Sequence, residues 1–526
     1  MHTLNTENPD QLIYNNTLLQ LTVLGGVRLD SLDRMRVTLK VEIPESPRPP
    51  LRHNLDLYND IQTEKFIRKI AERLEVGTSV ASASLSELTE KLEHYRVEEI
   101  KKSKVDTFKP KVLTEAEIAE AETFLKAPNL MERTNELIGN SGILGEETNR
   151  LIMYVIFTSR KRAQPLHVVS LGASGTGKTH LQEKVGELIP EEDKIEITTL
   201  SENAFYYFGQ RELKHKLILI EDLDGAEAVL YPLRELQSKK KISKTIAQKN
   251  SKGETKSIHL TVEGPVSVSG CTTRESIYED NANRSFLLYL DESEAQDLRI
   301  MEYQRRASAG KLNEHNEEEI RTLFKNCQRL LEPVKVVNPF AELLHIPTEV
   351  LKPRRTNSHY LQFIEAITFY HQKQRAEQFD ETTGEKYIET TLEDVEQASE
   401  LLKEILLHKS DELTGACRNY LERVKSYLEQ ENKSQFTNRE IRKALRENAS
   451  NQKRYNGTLI TNHYIKQVKG KKGTAYHYEV VSYDEFKALR NQINSVLDEN
   501  LDRLKQFTSS KVVQIKSGPV KRKKVS

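Results

Sequence analysis

The sequence predicts a multidomain α/β protein whose core is a parallel sheet flanked by helices, and three stretches carry that reading. The first is His167–Leu181, HVVSLGASGTGKTHL, where apolar and largely β-branched residues (Val168, Val169, Leu171) run into a glycine-rich turn and then a helix-compatible segment. The second is Lys216–Gly225, KLILIEDLDG, a short apolar run ending in acid, as expected of a central strand covered on both faces. The third is Pro265–Thr273, PVSVSGCTT, a buried strand that ends in hydroxyl residues.

The glycine-rich turn fits the pattern G-x-x-x-x-G-K-T. Gly172, Gly175, Thr176 and Gly177 lend backbone N–H groups to an anion, which also faces the positive end of the helix starting near Lys178. Lys178 is placed to reach the β- and γ-phosphates of ATP, and Thr179 to give its hydroxyl to Mg²⁺. The end of the apolar run delivers Glu221 and Asp222 to the crevice where such sheets bind ligands. One carboxylate holds Mg²⁺ through water and the other orients the attacking water, with the assignment between them open.

At 526 residues the chain exceeds what one core organises, and about three or four domains are expected. Charged residues make up 30% and cancel to a formal net charge of zero, so a nucleic-acid surface must be local. Cys271, Cys327 and Cys417 are far apart and lack C-x-x-C spacing, which argues against a zinc site or a disulfide framework and fits a reducing cytoplasm. Nothing resembles a signal peptide, and no apolar run approaches the ~18 residues of a bilayer span, so no membrane partner is expected.

Residues 1–105 read as a small α+β domain. Met35, Val37, Leu39, Val41 and Ile43 alternate with polar residues as in a half-buried strand, and Leu19–Leu29, broken at Gly25-Gly26, is a candidate partner. Four prolines in Pro44–Pro50 exclude regular structure. Helical spacing follows at Ile61, Phe66, Ile70 and Leu74 and at Leu85, Leu88 and Leu92, with a docking or oligomer-organising role as the expectation. Lys101 to about Leu113 reads as a linker, and 106–134 as linker plus a helix opened by a capping box, Thr114 with Glu117. Residues 135–300 form the expected core.

Gln237–Lys256 sets seven lysines against one glutamate and reads as two strands around the tip Lys249–Gly253. Lys249 and Lys252 there would neutralise phosphates without reading bases; a solvated charge run is the alternative. Arg284 stands just before the apolar strand FLLYL, either simply exposed or placed to enter a neighbouring subunit's triphosphate site. Residues 301–410 read as a helical lid in which Arg354-Arg355 opens a helix, with 376–393 as a surface loop. Residues 411–485 have the layout of a winged helix. Thr437 and Glu440 cap a helix, and a basic hairpin follows with Lys469, Lys471 and Lys472 at its turn. DNA contact, aided by Arg439, Arg442, Lys443, Arg446, Lys453 and Arg454, and protein docking both suit that layout. Residues 486–526 read as a charged helix and a basic tail.

The order and content of GASGTGKT, LILIEDLDG, the lysine-rich ISKTIAQKNSKGETKSIHLTVEGPVSVSGCTT, NANRSFLLYLDES and RRTNSHYLQFIEAITFY resemble the AAA+ ATPases. Within them the resemblance is to minichromosome-maintenance-type ring helicases and the helicase-like module found with bacterial primases. It spans roughly residues 135–410. The resemblance implies an AAA+ core, Lys178 and Thr179 on nucleotide and magnesium, and Glu221 and Asp222 as the acidic motif in reversed order. It further implies Lys249 and Lys252 on a pore hairpin, and Thr272, or equally Thr273, as the polar sensor. Arg284 becomes the trans-acting finger, Arg355 the lid sensor, and Gly139–Arg162 by its position the adenine-side segment. The implied activity is ATP-driven translocation on single-stranded or forked DNA by a homo-oligomeric ring, with a primase or replication-initiation protein as partner. An ATP-controlled DNA-bound switch or loader is the alternative. Primase chemistry has no recognisable residues in this chain.

Overall fold

The computed structural model of the protein describes residues 3–29, 34–105, 111–198, 203–226, 230–249, 255–273, 284–470 and 475–516. They divide into two compact units, Met1–Lys111 and Val112–Ser526.

The first unit is a five-stranded antiparallel meander in chain order, β1 (Thr3–Asn5), β2 (Gln11–Asn15), β3 (Gln20–Leu24), β4 (Arg36–Glu42) and β5 (Leu51–Asp56), followed by α1 (Asp60–Leu74) and α2 (Thr78–Val105). The alternating segment forms β4, and its buried Val41 and Leu39 lie opposite Leu21 and Val23 of β3. Gly26 answers to crowding as well as to its left-handed φ, because an added Cβ would stand 2.5 Å from the Pro9 carbonyl oxygen. The Asn59 side chain accepts from Gln62 N and caps α1, whose buried stripe is Phe66, Ile70 and Leu74. Helix α2 continues to Val105, past Lys101 where a linker was expected. The run EEIKKSK is rich in good helix formers, and charge without apolar periodicity does not end a helix.

The second unit opens with α3 (Glu115–Lys126), α4 (Leu130–Asn140) and α5 (Glu147–Thr158). The capping box forms at α3, where Thr114 N donates to Glu117 Oε2 at 2.8 Å and Glu117 N to Thr114 Oγ1 at 3.3 Å. Next come β6 (His167–Leu171), α6 (Lys178–Gly186), β7 (Lys194–Ile197), β8 (Lys216–Ile220), α7 (Leu230–Lys239), β9 (Lys241–Lys249), β10 (Thr255–Glu263), β11 (Val266–Thr272) and β12 (Phe286–Tyr289). The main sheet runs β12-β6-β11-β8-β7 with every pairing parallel, so all five C-terminal strand ends lie along one edge. Helix α6 is bolted beneath that edge by Gln182, whose Nε2 donates to Ile220 O of β8 at 3.1 Å and whose Oε1 accepts from Ser269 Oγ of β11 at 2.7 Å. Strands β9 and β10 form a separate ribbon, paired from Lys241 with Glu263 to Lys249 with Thr255. A two-stranded ribbon is marginal alone. Ile242 opposite Val262, both buried, anchors its root in the core beside β8 and β11.

Beyond the sheet lie α8 (Glu294–Ser308), α9 (Glu314–Leu330), β13 (Lys335–Val337), α10 (Pro353–Tyr370), β14 (Gln378–Phe379), β15 (Lys386–Glu389) and α11 (Leu392–Ser410). The expected surface loop 376–393 therefore contains a hairpin. Asp380 Oδ1 accepts from the backbone N–H groups of Thr382 and Thr383, and Gly384 supplies the positive φ that closes the turn. The remainder is α12 (Gly415–Gln430), β16 (Phe436–Thr437), α13 (Asn438–Ala444), α14 (Ala449–Thr461), β17 (Ile465–Lys469), β18 (His477–Val480) and α15 (Glu485–Lys516), with the small sheet ordered β16-β18-β17. Helix α15 is more than a charged extension. Ile493, Leu497 and Leu504 enter the main core, and the buried Asn500 exchanges two hydrogen bonds with the backbone of His345. No described helix is long and apolar enough to cross a membrane.

Arg418 ties α12 to its surroundings. Its Nε and Nη2 donate to both Asp411 carboxylate oxygens at 2.7 and 2.8 Å, Nη1 donates to Glu485 at 3.0 Å, and the rings of Tyr464 and Phe486 flank the guanidinium. Arg418→Ala leaves the buried Asp411 carboxylate without its bidentate partner, so urea unfolding followed by circular dichroism should show a loss of ~3–5 kcal/mol. A loss under ~1 kcal/mol, the range of an exposed pair, would contradict this role.

Candidate nucleotide site

Strand β6 ends at Leu171 and the chain turns through Gly172–Gly177 into α6. Gly175 and Gly177 have φ of +86° and +87°, and a Cβ added at either meets nothing within 4 Å. The glycines are thus required by the backbone turn and leave the inside of the loop open. Lys178 is 7% exposed and folds back over the loop, its Nζ donating to Gly172 O at 2.9 Å and Ala173 O at 2.5 Å. Burial lowers the pKa of its ammonium, against the opposing pull of the Glu292, Asp224 and Asp222 carboxylates. The Thr179 hydroxyl hydrogen-bonds the Cys271 thiol, which burial pushes up to about 12. That cysteine is a neutral packing group in the floor of the site.

The acidic residues separate by role. Glu221 turns to the neighbouring strand end, where its N–H donates to Ile197 O at 3.1 Å and its Oε1 accepts from Thr198 Oγ1 at 3.0 Å. Asp222 Oδ1 accepts from Asp224 N at 2.8 Å, and its carboxylate joins those of Glu292 and Asp224 in favouring the charged form of Lys178. Asp224, which the motif reading passed over, is clasped by β11. Thr272 Oγ1 donates to Oδ1 at 2.5 Å, while Thr273 Oγ1 and Thr273 N donate to Oδ2 at 2.8 and 3.1 Å. Both sensor candidates therefore act on one carboxylate. The signal available in IEDLD was an Asp two residues before another, the spacing at which the Asp222 side chain accepts from Asp224 N and turns the chain after β8.

Glu292 is the other residue that sequence reasoning missed. Its Oε1 accepts from Ala173 N at 3.3 Å, so a carboxylate touches the loop's own amide. The loop between α4 and α5 packs at the same edge. Arg150 donates to Ile143 O and Gly145 O at 2.8 and 3.1 Å, Gln296 Nε2 donates to Leu144 O at 2.8 Å, and Glu146 accepts from Asp291 N at 2.8 Å. Part of the Gly139–Arg162 segment is thereby fixed beside the C-terminal end of β12.

Arg284 lies at the other end of the sheet. It donates to Ser238 Oγ at 2.5 Å and sits close enough to His167, the first residue of β6, to assist burial in lowering that imidazole to about 3. From His167 to Gly172 the strand rises roughly 17 Å, so Arg284 is remote from its own phosphate loop. Arg355 goes with it. His359, one turn along α10, stacks on Phe286 at the start of β12, and burial lowers its pKa with help from Lys409, His167 and Arg355. Arg355, the expected lid sensor, thus acts on a histidine packed against the start of β12.

The residues present suit Mg²⁺ at a triphosphate. Thr179 supplies one hydroxyl, Asp222 lies on the same edge, and the ion's remaining ligands would be phosphate oxygens and water. No group of three or more His, Cys, Asp or Glu side chains that could hold a metal by itself occurs among the described residues. Of the expected DNA contacts, Lys249 ends the described part of β9 opposite Thr255, and Lys469 is exposed at the end of β17. Lys252, Lys471 and Lys472 lie outside the described residues.

The family described as the MTBMA_p00010 P-loop domain matches residues 115–333. The chain therefore carries a P-loop, nucleotide-binding domain there. No curated protein matches. Among solved structures, a full-length MCM homolog from Methanopyrus kandleri is 11% identical over 77% of this chain and 75% of its own, with a TM-score of 0.36. The structure titled SCCmec type IV Cch, active helicase, is 10% identical over 93% of this chain and 99% of its own, with a TM-score of 0.21. The C-terminal region of NrS-1 is 13% identical over 67% and 75%, with a TM-score of 0.23.

The geometry separates the carboxylates by experiment. Lys178→Ala should abolish binding of a fluorescent ATP analogue. Asp224→Asn should retain binding but lower the rate of nucleotide hydrolysis by ~100-fold, while Glu221→Gln lowers it by less than ~10-fold. Equal losses at Asp224 and Glu221 would contradict the division of roles.

Proposed function

We propose that the protein is an AAA+ ATPase that translocates on or unwinds DNA during replication, acting as a ring with nucleotide between subunits. One observation carries the reading: the phosphate loop and Arg284 lie at opposite edges of one sheet. An arginine that cannot reach its own triphosphate has a use when a second copy presents its loop to it. Arg355, seated at the same edge as Arg284, joins it in facing the neighbour.

Within one subunit, the amides of Gly172–Gly177 and the ammonium of Lys178 hold the phosphates. Thr179 and Asp222 would hold Mg²⁺, which would supply neutralisation of the phosphate charge. Asp224 orients the attacking water and is itself positioned by Thr272 and Thr273. Arg284 of the adjacent copy stabilises charge developing on the transferred phosphoryl group. Because β11 also continues into the core that anchors the β9–β10 ribbon, a change at Asp224 has a short packed route to the lysine-bearing hairpin. Lys249 and Lys252 would engage the backbone of one DNA strand there, and the C-terminal winged helix, with Lys469, Lys471 and Lys472 on its wing, would guide the duplex.

ATP hydrolysis by the full chain should rise several-fold on addition of single-stranded DNA, fall as salt is raised from 50 to 200 mM, and vanish in Lys178→Ala. Hydrolysis indifferent to DNA would overturn the motor reading and leave the nucleotide-controlled switch or loader.

A further inference from the structure

Glu292 is a carboxylate on the phosphate loop that the hydrolytic chemistry does not use. Its Oε1 accepts from Ala173 N at 3.3 Å, and a Cβ placed on Gly172 would stand 3.3 Å from the same oxygen. The Ala173 carbonyl is engaged as well, by Lys178 Nζ at 2.5 Å and Thr176 Oγ1 at 3.0 Å. Side chains of the protein thus satisfy both backbone groups of Ala173. Such a loop holds phosphate through its amide N–H groups and its lysine. A carboxylate on one of those amides, beside an ammonium whose charged form it favours, makes contacts that a phosphate oxygen would make. At 3.3 Å the bond is long for a charged acceptor, so it yields to a better one.

The fold aims that carboxylate. Strand β12 ends at Tyr289, and the residues on either side of Glu292 are fixed by name. Asp291 N donates to Glu146 Oε1 at 2.8 Å, Ser293 N donates to Asp291 Oδ1 at 2.9 Å, and Ser293 Oγ accepts from Gln296 N at 3.2 Å to cap α8. Glu292 therefore has an anchored backbone and an exposed side chain, and α8 after it buries only Gln296 among fifteen residues. The carboxylate can swing off the loop without disturbing the core.

We infer that Glu292 is a built-in competitor for the phosphate loop, an autoinhibitory carboxylate that a nucleoside triphosphate must displace from Ala173 N in order to bind. Two effects then set the apparent affinity. The loop accepts nucleotide only in the fraction of molecules whose carboxylate has left it, and a carboxylate remaining beside the bound phosphates repels them. The inference rests on the nucleotide-binding role of the P-loop domain and not on DNA or on assembly into a ring.

The test titrates the full chain with a fluorescent ATP analogue and Mg²⁺ at about 0.1 M and about 1 M salt, with the melting temperature of each variant measured alongside. Glu292→Gln keeps the size and the acceptor while removing the charge, Glu292→Ala removes both, and Glu292→Asp keeps the charge but shortens the reach. Glu292→Gln should bind the analogue roughly tenfold more tightly at the lower salt, with a smaller gain at the higher, and Glu292→Ala at least as tightly. Glu292→Asp should show part of the gain, and no melting temperature should fall, because an exposed carboxylate adds little to stability. If Glu292→Ala unfolds, the other two variants carry the test. Unchanged affinity overturns the inference, as does weaker binding, which would make Glu292 a group that helps to hold nucleotide. A gain in Glu292→Gln with none in Glu292→Asp assigns the effect to charge alone and overturns competition at Ala173 N. Hydrolysis indifferent to DNA overturns the motor reading and leaves this inference standing, whereas failure of wild type and variants alike to bind the analogue sinks it together with the nucleotide site.

Discussion

The structure depends on one topological constraint: five strands that run parallel must deliver all their C-terminal ends to the same edge. Because β11 lies between β6 and β8, that edge brings a phosphate loop, a pair of threonines and a pair of aspartates within a few residues of one another. Gln182 makes the arrangement specific by hydrogen-bonding to both β8 and β11 from the helix that the phosphate loop initiates. Buried amide groups of this kind are costly when unpaired, which fixes the register of α6 on the sheet.

The same constraint determines what a single copy lacks. Among the described residues, the phosphate loop, Asp222 and Asp224 lie at one end of the sheet and Arg284 at the other with His167, His359 and Lys409. His167, His359 and Lys409 are basic groups whose burial disfavours charge. The root of the ribbon β9–β10 packs in the core cluster that also holds Leu223, Val266 and Val268.

Much of this was legible in the sequence where the information is local. Gly172–Thr179 specify their own backbone path, the boxes at Thr114 and Thr437 form as their spacing indicates, and the alternation around Val37–Val41 yields β4. What was not legible depends on partners remote in the chain. The motif order points to Glu221 and Asp222, but Asp224 acquires its role from Thr272 and Thr273, nearly fifty residues later on the strand inserted beside it. The helix opened by Arg354-Arg355 was legible, but the packing of its His359 on Phe286 of β12 depends on residues some seventy positions apart. In α15, charge obscured a four-residue apolar repeat, Leu489, Ile493, Leu497 and Leu501, that packs against the main core.

The account's central claim is that each catalytic centre is shared between two copies of the chain, and complementation tests it most directly. Lys178→Ala and Arg284→Ala proteins, each inactive alone, would be mixed in equal amounts and assayed for ATP hydrolysis. Random assembly pairs an intact phosphate loop with an intact Arg284 at about one interface in four, so recovery toward a quarter of wild-type activity is the predicted result. Full activity of Arg284→Ala alone, or a mixture as inactive as its components, would contradict it.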